Sequence, residues 1–147
     1  MTVAIDILPL SERDRAEWEI LARGYKAFYA TEHSDAEYDA VWRRLTAGDG
    51  LYGFGARLDG KMVGLAHYLF HTTAWTGEAC YLQDLFTAEA ARGRGIAAAL
   101  ADQVAEAAQE RGATRFYWLT KQDNARARAL YDRIAAFKGF IRYDYPL

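Results

Sequence analysis

Two runs with strand character, Tyr52–Leu58 and Lys61–Phe70, are separated only by Asp59-Gly60. A two-residue Asp-Gly connection needs positive φ at both positions, and its twist matches that of paired strands. The pair therefore reads as an antiparallel hairpin and commits the middle of the chain to a sheet. A further strand-like run, about Ala79–Thr87, follows the polar turn around Thr76-Gly77, which extends the hairpin to a three-stranded meander.

The flanks alternate differently. Val3, Ile5 and Ile7 mark a first strand over Thr2–Leu8. Ser11-Glu12-Arg13-Asp14 is a capping-box-like start to a helix whose apolar stripe is Trp18, Leu21, Tyr25 and Phe28. A second helix is expected from Asp35 to Leu45 on Tyr38, Val41, Trp42 and Leu45, ended by Gly48-Asp49-Gly50. After the meander, Gly95–Glu110 is helical and stopped by Gly112, Arg115–Leu119 is a short strand, Asn124–Phe137 a helix and Phe140–Tyr145 a final strand. The order β-α-α-β-β-β-α-β-α-β predicts an α/β (α+β) domain, a mixed sheet with helices on both faces. At 147 residues, 52% of them apolar, and with prolines only at Pro9 and Pro146, the sequence shows no linker, so 1–147 is expected to form a single domain.

Composition excludes several classes of function. No apolar run approaches a membrane span, and residues 1–9 lack the basic region of a signal peptide, so a cytoplasmic protein without membrane association is the expectation. Cys80 is the single cysteine, and with the scattered His33, His67 and His71 it offers no metal-ligand spacing. A net charge of −2 argues against nucleic acid as a partner. Residues 91–147 are nevertheless basic, with ten bases against six acids, while residues 1–50 hold ten acids and six bases. Such a division suits an anionic cofactor held by one part and a cationic substrate by another, and equally suits solvated faces.

The segment with the most chemistry is Asp84-Leu85-Phe86-Thr87-Ala88-Glu89-Ala90-Ala91-Arg92-Gly93-Arg94-Gly95-Ile96-Ala97. A strand enters a loop with two glycines and two arginines, and a helix begins at once. The first N–H groups of a helix have no internal partners and sit at the positive end of its dipole, which makes an anion site. The loop lacks the Gly-Lys-Ser/Thr ending of a Walker loop and the third glycine of a dinucleotide fingerprint. Phosphate or pyrophosphate binding, or a tight turn with solvated arginines, are the two readings the residues allow.

Arg92-x-x-Gly95-x-Ala97 matches the Gln/Arg-x-x-Gly-x-Gly/Ala signature of the GNAT superfamily of N-acetyltransferases. Tyr81-Leu82-Gln83-Asp84-Leu85-Phe86 before it, and Tyr117-Trp118-Leu119-Thr120, Asn124-x-x-Ala127-x-x-Leu130-Tyr131-Asp132 and Gly139-Phe140 after it, follow the same pattern. The second half most resembles bacterial relatives of the spermidine/spermine and the histone and polyamine acetyltransferases. The resemblance implies a mostly antiparallel mixed sheet of six to seven strands. It implies acetyl-CoA as cofactor, with the pyrophosphate on Arg92, Gly93, Arg94, Gly95, Ile96, Ala97 and Ala98. It places the pantetheine arm along Leu85, Phe86 and Thr87, near Asn124 and Ala127, and makes Tyr131 the general acid for the departing thiolate. The acceptor it implies is a small-molecule amine (a polyamine, diamine or amino-acid-like compound) attacking directly in a ternary complex. Tyr25, Glu32, Gln83, Asp84 and Trp118 are candidates to meet that amine, and a homodimer is expected. A protein or peptide acceptor, or a non-catalytic acyl-CoA-binding module, are the alternatives. Many polyamine-type relatives carry Leu-Glu-Asp where Leu82-Gln83-Asp84 stands, so Gln83 cannot be the base and Asp84 remains a candidate. Strict alternation points Gln83 and Asp84 to opposite faces.

Overall fold

The computed structural model describes residues 4–147. Its five strands run in the order of the chain: β1 (Ile5–Pro9), β2 (Leu51–Leu58), β3 (Lys61–Thr73), β4 (Gly77–Thr87) and β5 (Arg115–Trp118). The first three pairings are antiparallel and β4–β5 is parallel. Helices α1 (Arg15–Phe28), α2 (Asp35–Thr46), α3 (Ile96–Arg111) and α4 (Ala125–Ile134) complete the domain. Thr2 and Val3 of the expected first strand lie outside the described residues.

Local chemistry explains most element ends. Asp59 and Gly60 take φ of 53° and 80°, the geometry that the two-residue turn requires. Ser11 and Asp14 form a capping box, but around a 3-10 turn (Glu12–Asp14) that leads into α1. Ser34 accepts from the Glu37 N–H while the Glu37 carboxylate accepts from the Ser34 N–H, closing a second box at the start of α2. Gly112 ends α3 in the left-handed conformation.

The sheet separates two apolar cores. On one face Phe54, Ala66, Tyr68, Cys80 and Leu82 pack against Ile96, Leu100 and Val104 of α3. On the other, Met62 and Leu65 meet Trp18 and Leu21 of α1 and Tyr38, Trp42 and Leu45 of α2. Gly64 is what lets α3 lie so close: a Cβ there would stand 2.8 Å from Ile96 Cγ2 and 3.2 Å from the Phe86 carbonyl oxygen.

Two expectations fail. The sheet has five strands rather than six to seven, because Phe140–Tyr145 forms no ladder and the order stops at β-α-α-β-β-β-α-β-α. Helix α4 also ends at Ile134, three residues short of Phe137. Ala135 turns to φ −146° and ψ −171°, and no residue of α4 is fully buried, so little packing is present to hold a further turn in helical form.

Candidate active site

Strand β4 and strand β5 part in mid-sheet. Their pairing ends at Leu82 opposite Trp118, whereas β4 runs on to Thr87 paired only with β3. The β4 edge that faces β5 is therefore open over Leu85, Phe86 and Thr87, and its backbone polar groups can take another extended chain. Thr87 Oγ1 is buried there without a hydrogen-bond partner.

Just beyond this edge lies the start of α3. Gly93 and Gly95 take φ of 79° and 78°, Gly95 is the N-cap, and no side chain caps the helix. The first turn holds no acidic residue. Its free N–H groups, with Arg92 and Arg94 alongside, are suited to a diphosphate. Arg92 is held over the Phe28 ring at 5.8 Å. Ala97 and Ala98 are partly exposed at this end. The Ile96 side chain is 2% exposed and belongs to the core, so of this candidate only the backbone faces the anion site. The open strand edge, the orphaned Thr87 hydroxyl and the uncapped helix together fit a long cofactor with a diphosphate head and an amide-bearing arm.

A small cavity of about 20 Å³ opens where the strands part, lined by Tyr25, Tyr29, Leu82, Gln83, Leu85, Trp118, Leu119, Thr120 and Tyr131. Four of these are aromatic. Trp118 and Tyr131 meet edge to face at 5.3 Å, and Tyr25 lies 5.1 Å from Tyr29 and 5.7 Å from Phe86. Burial, and to a lesser extent the neighbouring Tyr29, push the Tyr131 phenol up, so it carries its proton at neutral pH.

Behind Tyr25 is a buried polar chain. Trp18 Nε1 donates to His67 Nε2 at 2.9 Å, and His67 Nδ1 meets Asp84 Oδ2 at 2.9 Å. An indole N–H only donates, so Nε2 accepts and the imidazole proton sits on Nδ1, donated to Asp84. Burial pushes the Asp84 carboxyl up, but the His67 hydrogen bond and the approach of the Tyr25 hydroxyl outweigh it and hold it below the ordinary value. Tyr25 in turn is raised, first by burial and then by the Asp84 charge. It is therefore a proton-bearing hydroxyl between carboxylate and cavity.

A bulge makes this chain possible. From the β3–β4 turn as far as Tyr68 opposite Leu82 the register is regular; it then shifts, and His67 faces Asp84. Gln83 is the extra residue. Leu82 points to the α3 core, so unbroken alternation would send Gln83 to the α1 face and return Asp84 to the α3 face. The bulge reverses that phase and puts Asp84 with His67 and Trp18 on the α1 face, correcting the simple alternation read from the sequence.

The other candidates divide. Tyr25, Gln83, Trp118 and Tyr131 line one cavity, and Asp84 reaches it through Tyr25. Glu32 does not join them; it lies in a separate open groove of about 560 Å³ with Arg23, Thr31, His33 and Tyr38. Asn124 is the N-cap of α4: its side chain accepts from the Ala127 N–H at 3.3 Å, so this pair is occupied with each other. The sequence marks Trp18 only as part of a helix stripe and His67 only as a scattered histidine, so neither stands out there as a site residue, whereas Tyr29, near the junction of the first two helices, does. Burial pushes the Cys80 thiol up to about 11, which suits packing and not nucleophilic attack. Among the described residues no group of acids, histidines and cysteine could hold a metal, and no helix is long and apolar enough to cross a membrane.

Known proteins bear on the same features. The family model described as Acetyltransferase (GNAT) family matches residues 17–137. The D-amino-acid N-acetyltransferase HPA3 of Saccharomyces cerevisiae is 30% identical over 136 residues, covering 89% of this chain and 84% of that protein. The thialysine N-epsilon-acetyltransferase of Sus scrofa is 28% identical over 124 residues, 84% of this chain and 73% of that one. Among solved structures, the ribosomal-protein-alanine N-acetyltransferase of Brucella melitensis superposes with a TM-score of 0.77 at 29% identity, over 98% of this chain and all of that one. The aminoglycoside acetyltransferase AAC(6')-Iy, solved with a CoA bisubstrate analogue, shares the fold with a TM-score of 0.86 at 19% identity, over 98% of each chain. With the family model spanning most of its length, the chain belongs to the GNAT family and is an acetyl-CoA-dependent N-acetyltransferase.

Proposed function

We propose that the protein transfers acetyl to the primary amine of a small molecule, a polyamine, diamine or amino-acid-like compound, by direct attack in a ternary complex. The observation that carries the reading is the small aromatic cavity at the parting of β4 and β5, with a protonated tyrosine on one wall and a tyrosine–carboxylate pair on the other. The named activities of HPA3 and the thialysine enzyme, on amino-acid-sized amines, support it.

Acetyl-CoA, when bound, supplies the acetyl group as a thioester. Arg92, Arg94 and the N–H groups of Gly93, Gly95, Ala97 and Ala98 hold the diphosphate, and Leu85–Thr87 pair with the arm. Asn124 acts here by fixing the first turn of α4 and, with it, Tyr131. Tyr25, Tyr29 and Trp118 present aromatic faces that attract an incoming ammonium, and Gln83 offers a neutral hydrogen-bond partner. The amine must lose a proton to attack. The Tyr25 hydroxyl accepts it as its own proton passes to Asp84, which His67 and Trp18 keep oriented. With acetyl-CoA bound, the β4 N–H groups turned to the open edge, those of Leu85 and Thr87, would polarise the acetyl carbonyl, and Tyr131 would give its proton to the departing sulfur. The Cys80 thiol stays outside the reaction. A single cysteine, free and buried, also supports a cytoplasmic setting.

One observation favours a second reading, a peptide acceptor: the open groove along the α1–α2 junction, which includes Glu32. The test is release of free thiol from acetyl-CoA against polyamines, diamines, D- and L-amino acids, aminoglycosides and a lysine peptide, in wild type and Tyr131→Phe. Turnover of one small-amine class, reduced on the order of 10²–10⁴-fold in kcat with acetyl-CoA binding retained, is expected. Turnover of the peptide alone would replace the acceptor assignment. Undiminished turnover by the variant would remove Tyr131 as the acid.

A further inference from the structure

Among the described residues no charged side chain lines the cavity at the parting of β4 and β5, yet two ammoniums stand against its walls. Lys26 Nζ lies 5.5 Å from the centroid of the Tyr25 ring, and Lys121 Nζ lies 5.7 Å from that of Tyr29. Both rings are cavity walls and meet edge to face at 5.1 Å. Lys26 belongs to the last turn of α1, and Lys121 to the turn between β5 and α4, where its carbonyl accepts from the Asn124 N–H at 3.0 Å. Two of the four lysines in the chain therefore converge on one small cavity from distant parts of the sequence.

Neither has a counter-ion. The ion pairs of the described fold are made by arginine and histidine, and no lysine enters one. An ammonium resting on an aromatic face is partly stripped of water, yet it keeps N–H donors for another partner. The nearby acids do not balance these charges. Glu32 lies in the separate groove, and Gln83 on the cavity wall is neutral. Asp84, behind Tyr25, is already bonded to His67 at 2.9 Å.

The site is thus polarised, with its negative charge behind Tyr25 and positive charge on the outer side of the two tyrosine rings. A polyamine entering it would bring one ammonium toward Tyr25 and Asp84 and a second against the lysines, a juxtaposition of like charges that disfavours binding. An amine that also bears a carboxylate matches both signs at once. We infer that the acceptor carries a carboxylate close to its reactive amine, and that Lys26 and Lys121 select it. The inference rests on the small-amine reading and narrows it, setting polyamines and simple diamines aside. A charge-assisted hydrogen bond from either lysine corresponds to about 10–100-fold in binding.

The test compares acceptors that differ only in the carboxylate. In the thiol-release assay, D- and L-alanine, ornithine and lysine are set beside ethylamine, putrescine and cadaverine. In wild type at least one amino acid should exceed its decarboxylated partner about tenfold or more in kcat/KM. The Lys26→Gln/Lys121→Gln double variant should cut that ratio about tenfold or more, with the Kd for acetyl-CoA unchanged by calorimetry. Lys121→Glu, a change at an exposed loop position, should tilt the preference toward the diamine, and it decides the matter if the double variant does not fold. Decarboxylated amines turned over as well as the amino acids, or a ratio indifferent to both variants, would overturn the selection by lysine and leave the small-amine reading standing. Weakened acetyl-CoA binding in the variants at an unchanged ratio would give the lysines to the cofactor and overturn it as well. Turnover of a lysine peptide with no small amine accepted would overturn both readings together.

Discussion

Replacing Asp84 by Asn tests the buried chain and the proton route together. Asparagine keeps the shape, and its carbonyl oxygen can still accept from His67 Nδ1 at the 2.9 Å position. What is lost is the charge. A hydrogen bond to a charged group contributes about 1.5–3 kcal/mol against about 0.5–1.5 for a neutral one, so the variant should be less stable by roughly 1–1.5 kcal/mol at pH 7. That corresponds to a fall in Tm of about 2–6 °C for a domain of this size. The pH dependence follows from the sign of the shift. The carboxyl lies below its ordinary 3.8 in the folded state, so its stabilisation is complete above about pH 5 and lost as pH falls through the folded value. Urea unfolding of both proteins should show a constant gap from pH 7 to about 5 and a closing gap below about 4. In the thiol-release assay kcat/KM for the amine should fall on the order of 10²-fold or more, with the KM for acetyl-CoA unchanged. A gap that persists undiminished in acid would refute the charge argument, and amine kcat/KM within twofold of wild type would refute the proton route.

Two further substitutions separate cofactor binding from packing. Gly95→Ala places a Cβ at φ 78° with open space around it, so the cost is backbone strain of about 1 kcal/mol. It should raise the Kd for acetyl-CoA roughly fivefold by calorimetry; unchanged affinity would show that the α3 start does not hold the diphosphate. Gly64→Ala instead forces Ile96 and the Phe86 carbonyl apart and should lower stability by about 1–3 kcal/mol in urea. Because it also shifts the α3 start, acetyl-CoA binding should weaken with it, and loss of neither would mean that Gly64 is not what seats the helix.

Much of this protein is decided by short-range pattern. Asp59-Gly60 specifies the hairpin, the boxes at Ser11 and Ser34 and the glycine at 112 specify helix ends, and Arg92-Gly93-Arg94-Gly95 before an apolar helix specifies an uncapped helix start suited to an anion. Each rests on backbone chemistry within a few residues, so the letters suffice. The cavity depends on events that no local pattern states. The bulge at Gln83 is one: counting from the β3–β4 turn would set Gln83 against His67, and only the packing of both sheet faces moves Asp84 there instead. The buried Trp18–His67–Asp84 chain joins residues 49 and 17 positions apart, and a lone histidine on a strand carries no sign of that company. The fate of Phe140–Tyr145 is another. Its alternation gives it the character of a strand, but a strand needs an edge to pair with, and the path out of α4 brings this segment to none among the described residues.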